Sequence, residues 1–153
     1  MSVKTTKKII TPSFSLSSSV IDIVATIPTS LDNKKIPITV NIALIDSNQA
    51  SEDGEYRSDD VRDISETNLQ CYHYSIPSRL KTQEVVSSVL LDTDNDYIRD
   101  ITRQLSVLIC KKYEHPCYVS WSSNGSINTT SMDHLSVIKE CVAFIKELTS
   151  TLD

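Results

Sequence analysis

A helix that runs straight into a strand around a proline corner leaves a small chain few ways to fold, and residues 93–121 (TDNDYIRDITRQLSVLICKKYEHPCYVSW) spell out that arrangement. Thr93 with Asp96 three residues on reads as a capping box in which Asp stands for Glu or Gln. Asp94 and Asp96 fall at the end where the helix dipole favours negative charge, and Lys111 and Lys112 where it favours positive charge. Ile98, Ile101, Leu105, Leu108 and Ile109 recur at three- and four-residue intervals and predict one apolar stripe. Asp96, Arg99, Asp100, Arg103 and Gln104 lie off that stripe and face water. His115-Pro116 ends the helix, since proline disfavours helical geometry in the residue before it and donates no N–H. Cys117, Val119 and Trp121 then alternate with Tyr118 and Ser120, the period of a strand. Such a unit is a helix packed back onto a sheet, with Trp121 on the inward face beside Cys117 and Val119.

The segments before it supply the sheet. Residues 20–27 put Ile21, Ile23, Ala25 and Ile27 on one face. Residues 36–45 form the cleanest strand, with Ile36, Ile38, Val40, Ile42 and Leu44 opposite Pro37, Thr39, Asn41, Ala43 and Ile45. Because Ala43 and Ile45 are apolar too, this strand fits a sheet covered on both sides or a dimer interface. Residues 69–76 place Leu69, Cys71 and His73 opposite Gln70, Tyr72 and Tyr74, and Pro77 stops them. A β-branched run follows at 85–91, and Ile9, Ile10, Phe14 and Leu16 suggest an edge strand near the start. Asn124-Gly125 marks a turn, after which Ser131 is placed to cap a last helix with Leu135, Ile138, Cys141, Val142, Ile145 and Leu148 on its apolar face. Hairpin-linked strands followed by a helical block predict an α+β fold: a mainly antiparallel sheet of about six strands flanked by two principal helices. One domain over 1–153 is expected, with a flexible N-terminal tail of about 18 residues and an acidic loop at 47–68.

That acidic segment holds the whole charge surplus. It carries seven acids against Arg57 and Arg62, which leaves thirteen residues of each sign elsewhere and accounts for the net charge of −5. No basic field remains to grip a phosphate backbone, which argues against nucleic acid. No apolar run is long enough for a bilayer, and the lysine-bearing start has no apolar core behind it before Pro12, so an intracellular chain is expected. Cytoplasm is the expected compartment, with the nucleus second.

Catalytic chemistry is hard to assemble. Gly54 and Gly125 are the only glycines, too few for a phosphate cradle. Cys71, His73, Cys110, His115 and Cys117 lack the tight ligand pairs that zinc sites favour. Cys117 and His115, separated by a proline corner, fit buried packing better than a nucleophile and its base. No catalytic residue, cofactor or metal is assigned. Tyr72 and Tyr74 share one strand face, Tyr118 is placed outward beside them, and tyrosine is favoured at interfaces because it buries area while keeping a polar tip. With Arg99 and Arg103 on the polar side of the helix, these are the candidate protein-binding residues. Helices or the acidic loop covering the tyrosines are the competing reading.

Five segments, KKIPITV (34–40), CYHYSIP (71–77), LLDTDNDYIRD (90–100), HPCYVSWSS (115–123) and HLSVIKECVAFIKEL (134–148), together resemble the proteasome assembly chaperone 4 family in its fungal form. The likeness runs in order from about residue 20 to the C-terminus and leaves the N-terminal tail and the acidic loop as departures. It implies a non-enzymatic chaperone with an antiparallel sheet flanked by helices. Such a protein pairs with a sister chaperone of the chaperone 3 type, binds the α-type subunit α5 during assembly of the proteasome α-ring, and leaves before maturation. Two other classes stay open from the residues alone: an adaptor that docks peptides at a sheet edge, and a small thiol- or metal-dependent enzyme.

Overall fold

A computed structural model describes residues 2–10, 19–46, 67–123 and 133–152. In chain order these form β1 (Val3–Ile10), β2 (Ser19–Pro28), β3 (Ile38–Asp46), β4 (Asn68–Pro77), β5 (Val85–Leu91), α1 (Asp96–Tyr113), β6 (Cys117–Ser123) and α2 (His134–Ser150). The six strands make one sheet in the order β1-β2-β3-β6-β4-β5. Every neighbouring pair is antiparallel except β3 and β6, which run parallel from Ile38 beside Cys117 to Leu44 beside Ser123. Two antiparallel three-strand halves therefore meet along one parallel seam. The α+β fold expected from the sequence is what forms. The N-terminal strand comes earlier than Ile9 to Leu16, at Val3–Ile10, where it pairs with β2. Phe14, Leu16 and most of the acidic segment (47–66) lie outside the described residues.

Both helices lie on one side of the sheet, α1 over β4, β6 and β5, and α2 over β2 and β1 while also touching α1. The core between them follows the strand period: Ile21, Ile23, Ala25 and Ile27 from β2, Ile38, Val40, Ile42 and Leu44 from β3, and Cys117, Val119 and Trp121 from β6. Trp121 is the largest fully buried side chain, in register with Ile42 on one side and Cys71 on the other. Its inward assignment holds, and an indole buried this way contributes about 3–5 kcal/mol against truncation.

The helix ends were read nearly right. Asn95, not Thr93, is the N-cap of α1: its Oδ1 accepts from the N–H groups of Tyr97 (3.0 Å) and Ile98 (3.2 Å). Thr93 acts one step earlier, its hydroxyl accepting from the N–H of Asn95 at 3.2 Å. Asparagine caps as well as threonine does, and sequence spacing does not separate the two when both precede the stripe. At the other end Glu114 adopts the left-handed conformation (φ 56°) and its N–H returns to the carbonyl of Cys110 at 2.8 Å. Leu108, placed in the stripe by spacing, turns outward and is 45 % exposed. Asp133 caps α2 through Leu135 and Ser136; Ser131 lies outside the described residues. Leu135 sits at the first turn and is exposed, and Phe144 takes a core position instead.

One strand departs from simple alternation. Leu69 stands opposite Ser122 and Cys71 opposite Trp121, so β4 spends two residues on a single step of β6. That bulge moves Leu69 to the side away from the helices, where it is 48 % exposed, while Cys71, His73 and Ser75 stay beneath α1. The expectation that Leu69, Cys71 and His73 share a face fails at Leu69 for this reason. On the helix side, Ser75 and Ser106 satisfy one another in the core at 2.9 Å.

Candidate functional site

With both helices on one side, the other face of the sheet has no helix over it among the described residues. Strand register decides what it displays. Tyr118 stands opposite Tyr74, and Tyr72 is one pleat along, opposite Ser120. Tyr74 and Tyr118 stack with ring centroids 4.3 Å apart, and Tyr72 tilts against Tyr118 at 5.9 Å. Burial, and then the neighbouring Tyr118, pushes the phenols of Tyr72 and Tyr74 upward, so both stay protonated hydroxyls at neutral pH. The three tyrosines of the sequence reading thus come together in one ladder across β4 and β6.

The ladder continues into polar and small side chains. Ser120 donates to the Asn41 side chain at 2.6 Å across the parallel seam. Beyond it lie Thr39, Ala43 and Ile45 of β3, then Val24 and Thr26 of β2, the latter bonded to Thr5 of β1 at 2.9 Å. Lys7 pairs with Asp22 at 2.9 Å, and the second carboxylate oxygen of Asp22 is buried with no hydrogen-bond partner. Most of these residues are half-buried. A flat face rich in tyrosine and small polar groups, poor in unpaired charge, has the composition of a protein interface core.

Arg99 and Arg103 lie on α1, on the opposite side of the sheet, so the structure does not bring them to the tyrosines. Arg99 is committed to the start of its own helix, bonded to Asp92 (2.7 Å), Asp96 (3.1 Å) and the carbonyl of Thr93. That guanidinium holds the Asp92 carboxyl below its usual range. Arg103 faces Asp100 at 3.7 Å and, with Gln104, Val107 and Leu108, lines a shallow depression of about 190 Å³.

The cysteine and histidine chemistry resolves into packing. Burial pushes the thiols of Cys71, Cys110 (to about 11), Cys117 and Cys141 (to about 12) upward, so none is a thiolate at neutral pH. His115 is fully buried and turned away from base duty: Nδ1 lies 2.8 Å from the carbonyl of Ile36 and Nε2 3.1 Å from that of Leu31. Among the described residues no group of three or more His, Cys, Asp or Glu side chains is placed to hold a metal ion, and no helix is long and apolar enough to cross a membrane.

Sequence reasoning found the tyrosines because they alternate with known core positions. It put Asn41 beside Ala43 and Ile45 and Ser120 beside Tyr118 but did not name Asn41 or Ser120 as candidate binding residues, because their meeting depends on the register between β3 and β6.

The comparisons with known proteins agree with one another. A family model described as 20S proteasome chaperone assembly proteins 3 and 4 matches residues 1–146. Proteasome chaperone 4 of Saccharomyces cerevisiae is 32 % identical over 156 aligned residues, covering 95 % of this chain and 97 % of that protein. A chain in the crystal structure of a novel chaperone complex for yeast 20S proteasome assembly superposes with a TM-score of 0.70 at 32 % identity, covering 96 % of this chain and 98 % of that one.

Proposed function

Since the chain belongs to the family of 20S proteasome chaperone assembly proteins 3 and 4, we propose that it works, without catalysis, as one half of a heterodimer with a sister assembly chaperone. The pair binds an α-type subunit, α5, promotes assembly of the α-ring, and leaves before the core particle matures. It acts in the cytoplasm and the nucleus. The observation that carries this reading is the sheet face centred on the stacked Tyr74 and Tyr118, which has no helix over it among the described residues. A sheet buries one face on its own helices and leaves the other for a second layer. Here that second layer is the sister chaperone. The α-subunit then contacts surface that the pairing leaves free.

The test is co-expression of the full chain with its sister chaperone, followed by sizing and by capture of α5. Tyr118→Arg should abolish the heterodimer and leave the chain itself folded, because a charge on this face has no partner once a second sheet closes over it. Retention of the heterodimer by Tyr118→Arg would refute the assignment of this face. A pulldown from native extract that enriches unrelated proteins and no α-type subunit would favour the general adaptor instead.

A further inference from the structure

The two outer strands of the sheet are unlike. β1 has three lysines in eight residues, Lys4, Lys7 and Lys8, the usual protection of an edge against further pairing. β5, VVSSVLL, has no charge at all, and Val86, Val89, Leu90 and Leu91 are each 42–56 % exposed. In an antiparallel pair, half of an edge strand's N–H and C=O groups point away from its neighbour, so β5 offers a row of donors and acceptors bordered by apolar side chains. The strand is held firmly: α1 packs against it, and the turn before it is closed by the Ser78 N–H bonded to the Glu84 carbonyl at 2.8 Å. Its register with β4 is continuous from Val85 to Val89 and breaks only at Leu90.

Charge at the two ends of β5 has opposite sign. The preceding turn carries Arg79, exposed and without an ion pair among the described residues, and the Lys81–Glu84 pair at 3.3 Å, one positive charge in excess. Past Leu91 come Asp92, exposed Asp94 and Asp96 against Arg99 alone, two negative charges in excess.

We infer that β5 is a docking edge for an extended segment of another protein, which adds to the sheet as a seventh strand. The segment has an uncharged middle with alternating apolar residues, basic residues at its N-terminal flank and acidic residues at its C-terminal flank. Laid antiparallel to β5, its basic end meets Asp92 and Asp94 and its acidic end meets Arg79 and Lys81. Only an extended backbone satisfies the open row of hydrogen-bonding groups. A second copy of β5 has suitable flanks but fits less well, because the irregularity at Leu90 would interrupt such a pair twice, once in each copy. The open row of backbone groups is the outer side of β5; Val86 and Leu91, opposite Ile76 and Tyr72, belong to the tyrosine face, so the sister chaperone borders this edge on that side.

The experiment uses the full chain in complex with its sister chaperone and a fluorescent peptide, KKVTVTVDD, as probe. Ser87 and Val89 are exposed and lie on the helix side of β5, so Ser87→Lys/Val89→Lys leaves pairing through the tyrosine face intact. Saturable binding of the probe, with slowed amide exchange at residues 85–89, is the expected result. The double lysine variant should then bind roughly tenfold or more weakly, as should a proline probe in which the central valine and the threonine after it are both proline, one of which must lack a donor toward β5. No binding, or equal binding by the proline probe or by the lysine variant, overturns the proposal. Equal binding by DDVTVTVKK overturns the assigned direction. Concentration-dependent self-association that the lysine variant removes makes the occupant a second copy and overturns the proposal in that form. Loss of the heterodimer in Tyr118→Arg with probe binding retained bears on the other face alone.

Discussion

Tyr118 and Val119 follow one another on β6, yet Val119 is sealed under α1 while Tyr118 stands half-buried on a face with no helix over it among the described residues. The same division runs through every inner strand. On the helix side, β2, β3 and β6 carry aliphatic side chains, one thiol, one indole and, at the end of β6, Ser123, at 0–2 % exposure, and β4 adds Cys71, His73 and Ser75. On the other side they are chiefly tyrosine, serine, threonine, asparagine and alanine, with Val24, Ile45 and the paired Asp22 among them, and some are held by pairwise bonds such as Ser120–Asn41. The first face gains its stability from water excluded when this chain folds. On the function proposed above, the second keeps area for another protein to bury, and a substitution there should move binding more than melting.

The largest effect should come from Trp121→Ala. With the indole fully buried against Ile42 and Cys71, its loss is expected to cost about 3–5 kcal/mol. Thermal melting and partner capture should fail together, binding being lost only as folding is lost. A variant that melts normally and captures nothing would place Trp121 in the interface and collapse the contrast between faces. Tyr118→Ala is its counterpart on the same strand. The monomer should give up about 0.5–1.5 kcal/mol for the lost ring contacts, while affinity for the sister chaperone falls by about 2 kcal/mol or more, roughly thirtyfold. Equal losses in both measurements would make the tyrosine ladder ordinary core.

The Ser75–Ser106 pair sharpens the comparison from the buried side. Ser106→Ala takes away the hydroxyl that Ser75 bonds and should cost about 1–3 kcal/mol; Ser75→Ala should cost less, because Ser106 still donates to the carbonyl of Arg103 at 2.9 Å, and the double alanine variant should cost less than the sum of the two. Strict additivity in chemical denaturation would mean the bond contributes nothing by itself. Asn95→Ala removes a cap serving two N–H groups and should cost about 1 kcal/mol, with no change in capture of either partner.

The smallest effect is that of Arg99→Gln. Asp92 has its folded-state pKa lowered by Arg99, so its contribution is present above the carboxylate range and fades as pH falls through the folded-state value. Wild type should therefore melt above the variant at neutral pH, with the two curves converging in acid. A gap that persists after the carboxylates are protonated would assign the role of Arg99 to packing.

What could be read beforehand was whatever a periodic pattern fixes. The face of β3 was legible because Ile36, Ile38, Val40, Ile42 and Leu44 leave no other register, and all are buried. Trp121 was legible because it shares parity with Cys117 and Val119. Leu69 was misplaced because a bulge breaks that parity without leaving a glycine or proline to mark it. The cap at Asn95 was missed because Thr93 satisfies the same pattern two residues earlier. The tyrosine cluster could be anticipated on one strand, but its closure across β6 depends on register between segments far apart in the chain. Arg99 and Arg103 looked like free surface cations; Arg99 in fact ties down the start of its own helix.

The parallel seam between β3 and β6 also governs how the molecule must assemble in time. Within each half, the pairs β1–β2, β2–β3 and β4–β5 form between sequence neighbours and can close early. The seam joins residues such as Asn41 and Ser120, 79 positions apart, and it cannot form until β4, β5 and α1 have been laid down between them. Loop-closure entropy falls on this step, which makes it the expected rate-limiting event of folding. On a ribosome the N-terminal three strands emerge with the seam edge of β3 uncovered until β6 follows. A nascent chain of this kind is most exposed to mispairing during that interval, along the strand that later sits at the middle of its sheet.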